Sequence, residues 1–152
     1  MQGVIVHITR DFKNVPCPRR RFIKLVRVIC KRFRVKNAAV NIAVVGNRAI
    51  RKFNKKFLNH KNATDCLSFD LSETKKGPKF FEIIVNGERA KSQAALRGHS
   101  PAAELALYIT HGLLHNLGFD DLQPKKAKIM HALEDEILRQ QGFGRVYYKE
   151  ID

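Results

Sequence analysis

Apolar residues follow two different periods along this chain. Short, nearly continuous apolar runs predict four strands, at residues 4–8, 39–45, 66–71 and 80–85. Apolar residues spaced by three and four predict five helices, at 19–34, 47–58, 87–97, 101–117 and 124–141. The short connection before the last strand predicts that it is antiparallel to its predecessor. We therefore expect an α+β fold, with a small mixed sheet of about four strands packed against helices.

The pattern also predicts which faces are buried. The first strand is apolar at nearly every position, so we expect it to be covered on both faces. Helix 101–117 is the most apolar and is expected to be the central buried helix, with Ser100 as its N-cap. Helix 124–141 should pack on it through Ile129, Leu133 and Ile137, which places His131 at the surface.

The second predicted helix is short and basic. Asn47 is its candidate N-cap, and its buried face is predicted to consist of Ile50, Phe53 and Phe57. Its other side carries lysines and arginines, so we expect that side to face solvent.

Two histidines lie four residues apart on the central helix. His111 and His115 therefore project from the same face, and Gly118 is placed to end the helix in a left-handed conformation. The turn that follows can bring Asp121 to the same metal ion, although Asp120 follows the same turn and stays open as the third ligand. Three protein ligands with one open position are typical of a catalytic zinc, bound once per chain.

The spacing of these ligands matches the metzincin triad, but one catalytic residue of the peptidases is absent. Their general base is a glutamate next to the first histidine, and that position here is Gly112. Met130 could form the floor of the site, and we interpret it as core filler. A metallopeptidase is therefore the least favoured of the functions considered.

The metal-site stretch and the segment Thr64-Asp65-Cys66-Leu67-Ser68-Phe69 together resemble the YbeY family of metal-dependent endoribonucleases, over roughly residues 40–141. The resemblance implies an α+β domain with zinc near one edge of the sheet, and cleavage of single-stranded RNA in rRNA maturation and ribosome quality control. It also implies that Asp65 and Ser68 lie near the site. Asp65 has an equally good interpretation as a residue that caps its loop.

The chain departs from the family pattern at several positions. Asp121 replaces the family's third histidine, and Leu58 replaces an arginine thought to act on the RNA phosphate. Lys55 or Lys56 could supply a phosphate-binding charge instead, although an ammonium cannot form the two-pronged contact of a guanidinium. An alternative function is therefore an RNA- or ribosome-binding assembly factor with weak or lost nuclease activity.

The distribution of charge favours an RNA partner. The chain has 152 residues and a net charge of +15. Residues 1–61 carry 17 Lys or Arg and one acid, whereas residues 62–152 carry 12 Lys or Arg and 13 acids. We expect one domain with a basic first half and a metal-site second half. The asymmetry predicts a polyanionic partner, and a solvated basic surface is the simpler alternative.

The predicted RNA-binding residues lie on the first two helices. They are Arg20, Lys24, Arg27, Lys31, Arg34, Lys52, Lys55 and Lys56. A basic amphipathic helix can also bind a membrane, but the apolar stripe of the first helix is needed by the core. We therefore expect rRNA or pre-rRNA as the partner, with the small ribosomal subunit as a candidate, and neither DNA nor a membrane. The oligomeric state stays open.

Three cysteines, without zinc-finger spacing, indicate reduced thiols. They are Cys17, Cys30 and Cys66. No apolar run approaches the ~20 residues of a membrane helix, and the first residues do not have the pattern of a signal peptide. We expect a cytoplasmic protein.

Overall fold

The computed structural model describes residues 3–60, 63–144 and 146–147. It contains the four strands and five helices that the pattern predicted. Their order is β1 (Val4–Arg10), α1 (Arg19–Arg32), β2 (Ala38–Val45), α2 (Asn47–Leu58), β3 (Cys66–Asp70), β4 (Lys79–Asn86), α3 (Gly87–Arg97), α4 (Pro101–Asn116) and α5 (Pro124–Gln140).

The strands form one mixed sheet in the order β1-β2-β4-β3. β1 pairs with β2, and β2 with β4, in parallel. β3 is antiparallel to β4, with Ser68 opposite Ile83. This arrangement confirms the predicted α+β fold and the predicted orientation of the last two strands. It also makes β3 one edge of the sheet, so the segment containing Asp65 enters the sheet at that edge.

One face of the sheet, here called the helix-packed face, carries the main core. Alternate residues of β2 and β4 point into it, because successive side chains of a strand lie on opposite faces. α4 is buried along most of its length among these side chains, as expected for the central helix. The fully buried side chains of the core include Phe22, Leu25, Ile29, Ile42, Ile83, Leu105, Ile109 and Leu113.

The opposite face, here called the open face, is covered only in part by α2. A small second cluster forms there around Val45, Ile50, Leu67 and Ile84. Phe57 was predicted to be buried but is 54% exposed. Its ring contacts Phe53 and Phe69, and the rest of the ring is open to solvent.

Three other predictions are corrected. β1 is an edge strand in which only Ile8 is buried, and Ile5, His7 and Thr9 on its other face are exposed. α1 ends at Arg32, since Arg34 adopts φ 60° and its N–H and that of Val35 bond back to the helix carbonyls. Gly46, rather than Asn47, is the N-cap of α2.

α5 packs through two of its three predicted residues. Ile137 is buried and Leu133 packs half-buried against the core, whereas Ile129 is 57% exposed. The buried stripe of α5 also includes Met130 and Leu138. The stripe also contains Glu134, which is completely buried. No helix among the described residues is long and apolar enough to cross a membrane.

Candidate metal centre

α4 places two imidazole nitrogens close together. His111 and His115 are one turn apart, and their Nε2 atoms are 3.0 Å apart. Each Nδ1 has an acceptor of its own: the Glu134 carboxylate at 2.6 Å from His111, and the Phe119 carbonyl at 3.0 Å from His115. A neutral imidazole that donates through Nδ1 has its Nε2 lone pair free. The two rings are therefore placed to offer Nε2 lone pairs to the same space.

The turn after α4 orients the ring of His115 and carries Asp121 toward it. Gly118 has φ 100°, and its N–H bonds to the carbonyl of His115 while that of Phe119 bonds to Leu114. This pair of bonds is a Schellman motif, as the glycine predicted. The same turn supplies the Phe119 carbonyl that orients His115. The end of the helix and the position of the ligand are therefore set by the same few residues.

Asp121, not Asp120, faces the histidines. Its Oδ2 is 3.5 Å from His111 Nε2 and its Oδ1 is 3.6 Å from His115 Nε2. Asp120 instead accepts a hydrogen bond from the Leu122 N–H and lies 3.6 Å from the Lys126 ammonium. The structure thus places Asp121 at the candidate third position.

These donors fit a metal ion. Their ligand atoms all lie within 4.8 Å of one another. Tetrahedral zinc with bonds of about 2.0–2.1 Å to nitrogen separates its ligand atoms by about 3.3 Å, close to the distances between these donors. Two imidazoles and a carboxylate are donors that zinc accepts readily.

Glu134 supports this site from α5. One carboxylate oxygen accepts from His111 Nδ1 at 2.6 Å, and the other lies 2.5 Å from His131 Nδ1. Burial lowers the pKa of His111, but hydrogen bonding and the charge of Glu134 outweigh this effect, and the pKa is raised overall. A carboxylate behind a ligating histidine is the usual device that fixes its tautomer and orientation.

His131, predicted to lie at the surface, is half-buried. Its ring is stacked on Tyr147 at 3.6 Å between centroids. His111, His131 and Glu134 also form a compact group of possible metal ligands. We interpret them as a support for the first site, because both oxygens of Glu134 already contact imidazole nitrogens.

Gly112 lets α4 approach the sheet. A Cβ at this position would lie 2.7 Å from Cys66 Sγ and 3.0 Å from Ile83 Cγ2. No glutamate can occupy the position without moving the helix. The close contact therefore explains why the glutamate of the peptidases is absent.

A cavity of about 270 Å³ opens beside the metal candidates, between α3, α4 and α5. Asp65 and Arg89 lie in its wall and form an ion pair. Burial raises the pKa of Asp65 despite the opposing effect of Arg89. Burial also raises the pKa of the Cys66 thiol, which therefore stays protonated in this wall.

The decisive comparison is with families of known proteins. The sequence profile of the family described as Endoribonuclease YbeY matches residues 8–142. The chain belongs to the YbeY family. The match covers both halves of the chain and includes the three candidate ligands.

Curated relatives carry the same description. A YbeY endoribonuclease from Listeria welshimeri is 36% identical over an alignment of 120 residues that covers 70% of this chain and 74% of the relative. Another from Myxococcus xanthus is 38% identical over 107 residues, covering 68% of this chain and 36% of that longer protein. The solution structure of TM1509 from Thermotoga maritima has a TM-score of 0.56 at 19% identity, covering 90% of this chain and 91% of that chain. This last likeness is one of fold.

The remaining residues predicted from the YbeY resemblance are not all brought together. Asp65 lines the cavity, but Ser68 lies under α4, where a Cβ on Gly112 would be 3.6 Å from its own Cβ. Lys56 is not among the described residues that line the cavity. Its ammonium lies 5.3 Å from the centre of the Phe57 ring, and that ring packs against Phe69 on the open face.

Sequence reasoning missed Glu134, Arg89 and Arg97 in this YbeY-family site. The sequence did contain an indication of Glu134, because it lies among the apolar residues of α5 and a buried carboxylate requires hydrogen-bonding or ion-pair partners. The two arginines are on the short helix α3 and had no such signal. Only the folded chain shows that they line the same cavity as His111.

Proposed function

We propose that this protein is a zinc-dependent endoribonuclease that cleaves single-stranded RNA in rRNA processing and ribosome quality control. The observation that carries the proposal is the convergence of His111 Nε2, His115 Nε2 and an Asp121 carboxylate on one space. Membership of the YbeY family supplies the reaction class. The site supplies a place where that chemistry can occur.

His111, His115 and Asp121 would hold one zinc ion. When bound, zinc would supply Lewis acidity toward a phosphate oxygen and a lowered pKa for a coordinated water. Asp121 carries a negative charge and a neutral histidine carries none. The net positive charge of the ion and its ligands would therefore be lower than with three histidines. Glu134 would keep His111 in the tautomer that binds.

Asp65 is the candidate for proton transfer in the cavity. Its pKa is raised by burial, and a carboxylate with a raised pKa is a better proton acceptor than an ordinary one. Ser68 is retained as a positioning candidate, since it lies between the strand and α4 and not in the cavity wall.

The RNA would lie across basic surfaces on both sides of this site. The predicted cations of α1 and α2 are all exposed, and those of α1 line a shallow groove. Arg34 lies in a second groove, of about 550 Å³, that ends at Asn116 and Leu117 beside the metal helix. Its other cations are Lys36, Lys75, Lys76 and Lys79. None of the described residues that line this groove is acidic, which favours the phosphates of RNA as its ligand.

The remaining parts of the proposal follow from these. We propose one domain for residues 1–152, rRNA or pre-rRNA as the partner, and contact with the small ribosomal subunit. The three cysteines and an RNA substrate favour the cytoplasm.

A second candidate function is an RNA- or ribosome-binding assembly factor with little nuclease activity. Two observations favour it: Leu58 stands where the family has an arginine, and Lys56 lies outside the cavity. A metallopeptidase is disfavoured because α4 leaves no room for a glutamate at position 112.

The test measures zinc content and RNA cleavage together. Wild type is expected to bind about one zinc per chain and to lose cleavage of a single-stranded RNA in chelator. Asp121→Ala should lose both zinc and cleavage, whereas the matched variant Asp120→Ala should keep them. RNA binding and zinc binding without cleavage would favour the assembly factor. Cleavage that survives the chelator would contradict the nuclease proposal.

A further inference from the structure

We propose that Arg89 is the residue that binds the RNA phosphate in the cavity beside the metal centre. This inference rests on the proposed function and assigns its phosphate contact to α3. The cavity contains His111 and Asp121 at one end. Of the described residues that line it, Arg89 and Arg97 are the two with a permanent positive charge.

Arg97 is already occupied. Its Nη2 donates to the carbonyls of Val146 and Tyr147, at 2.6 and 2.5 Å, and its Nη1 lies 3.4 Å from the Glu104 carboxylate. Glu104 is almost fully buried and also contacts His99 at 2.5 Å. Arg97 therefore holds the segment after α5 against α4, and both of its terminal nitrogens already have acceptors in the protein.

Arg89 has donors to spare. Its backbone N–H donates to the Asn86 side chain at 3.0 Å, which fixes it in the first turn of α3. Its Nε pairs with Asp65, and its terminal nitrogens have no acceptor among the described residues. The side chain is 43% exposed, so a ligand in the cavity can reach it.

The pairing with Asp65 orients the guanidinium for a second ligand. A guanidinium has five N–H donors in a planar fork, and one carboxylate oxygen at Nε leaves the terminal pair unused. Two such donors match two oxygens of a phosphodiester. Asp65 also limits the rotation of the side chain, so less conformational entropy is lost when the phosphate binds.

The other cavity carboxylates do not compete for Arg89. Glu104 is held by His99 and Arg97, and Glu134 by His111 and His131. Asp121 faces the candidate metal position. Among the described lining residues, Arg89 is therefore the cation whose two terminal nitrogens stay available to a phosphate in this cavity.

The experiment compares zinc-loaded wild type, Arg89→Ala and Arg89→Lys on a short single-stranded RNA. Removing a donor to developing charge typically lowers kcat about 100-fold or more, and we expect this for Arg89→Ala. Arg89→Lys should recover part of the lost kcat, because lysine keeps the positive charge but lacks the two parallel N–H donors of a guanidinium. Added guanidinium ion should restore activity to Arg89→Ala. Lys91→Ala, which removes an exposed charge from the same helix, is the control.

A second readout does not need metal or catalysis. In chelator, affinity for a 2′-O-methyl RNA oligonucleotide should fall about tenfold in Arg89→Ala and stay unchanged in Lys91→Ala, as for the loss of one charge-assisted contact. Zinc content and thermal stability of each variant show whether the site itself is intact.

The outcomes separate this inference from the proposed function. Arg89→Ala that cleaves within about twofold of wild type would overturn the inference, as would loss of activity accompanied by loss of zinc and no rescue by guanidinium. If zinc-loaded wild type cleaves no RNA, the proposed function fails. The affinity measured in chelator still decides whether Arg89 binds phosphate: an unchanged affinity overturns it, and a tenfold loss supports it.

Discussion

Gly112 sets the distance between the metal helix and the sheet. Without a side chain at this position, α4 can lie directly over Cys66 and Ile83, so the histidines on either side of the glycine are held at the edge where Asp65 enters. A larger residue would have to push the whole helix outward, because a packed interior has few voids to absorb it. The missing side chain of Gly112 therefore helps to set the position of His111 and His115.

We predict that Gly112→Ala destabilises the protein by about 1–3 kcal/mol, as overpacking does, although alanine favours a helix by about 1 kcal/mol. The expected cause is the contact with Cys66 Sγ, 2.7 Å from the new Cβ. In urea unfolding, Gly112→Ala combined with Cys66→Ala should cost less than the sum of the single changes. A Gly112→Ala protein as stable as wild type would show that the helix moves freely.

At the scale of the elements, periodicity predicted the fold because each strand and helix carries its own pattern. The ends of the helices and their buried faces were harder to predict. α1 was predicted too long because its charged stripe continues to Arg34, but that residue is in a left-handed turn. On α5, Ile137 and Leu133 pack on the core as predicted, but Ile129 is exposed and the acid Glu134 is buried. A buried acid is understandable only once its two histidine partners are known.

The exposed cations of α1 carry an element-scale prediction. Arg27 also donates to the Val4 carbonyl, so it is left in place. Replacing Arg20, Lys24 and Lys31 with alanine should weaken RNA binding. The negative slope of log affinity against log salt concentration should become shallower by about 2, because each lost single-strand phosphate contact contributes about 0.7. Stability should not fall, because like charges on one helix repel. Removing Lys13, Lys91 and Lys128 instead is the control, and an equal effect there would contradict a role for this face.

At the scale of the whole molecule, the candidate metal site joins two consecutive helices and the turn between them. Two ligands come from α4, one from the turn after it, and their support comes from α5. The sequence could place the first three together because they are neighbours along the chain. It could not place Arg89 or Arg97, because their distance from the histidines depends on how α3 packs against α4.

Zinc binding should therefore stabilise the fold as a whole. An ion that binds only the folded state adds about 2.7 kcal/mol at a hundredfold excess over its dissociation constant. We expect the unfolding temperature of metal-free protein to rise when zinc is added, and to rise much less in Asp121→Ala. An identical rise in that variant would mean that zinc binds elsewhere.

The turn at Gly118 has a further consequence, for how long an ion would stay bound. The same turn ends α4, holds the ring of His115 through Phe119, and carries Asp121. Helix ends open locally at much lower free energy than the core unfolds. The residence time of the metal would then be set by local unfolding of the last turn of α4, while the sheet and the other helices stay folded. Capture and release of the ion would be fast events on a stable scaffold.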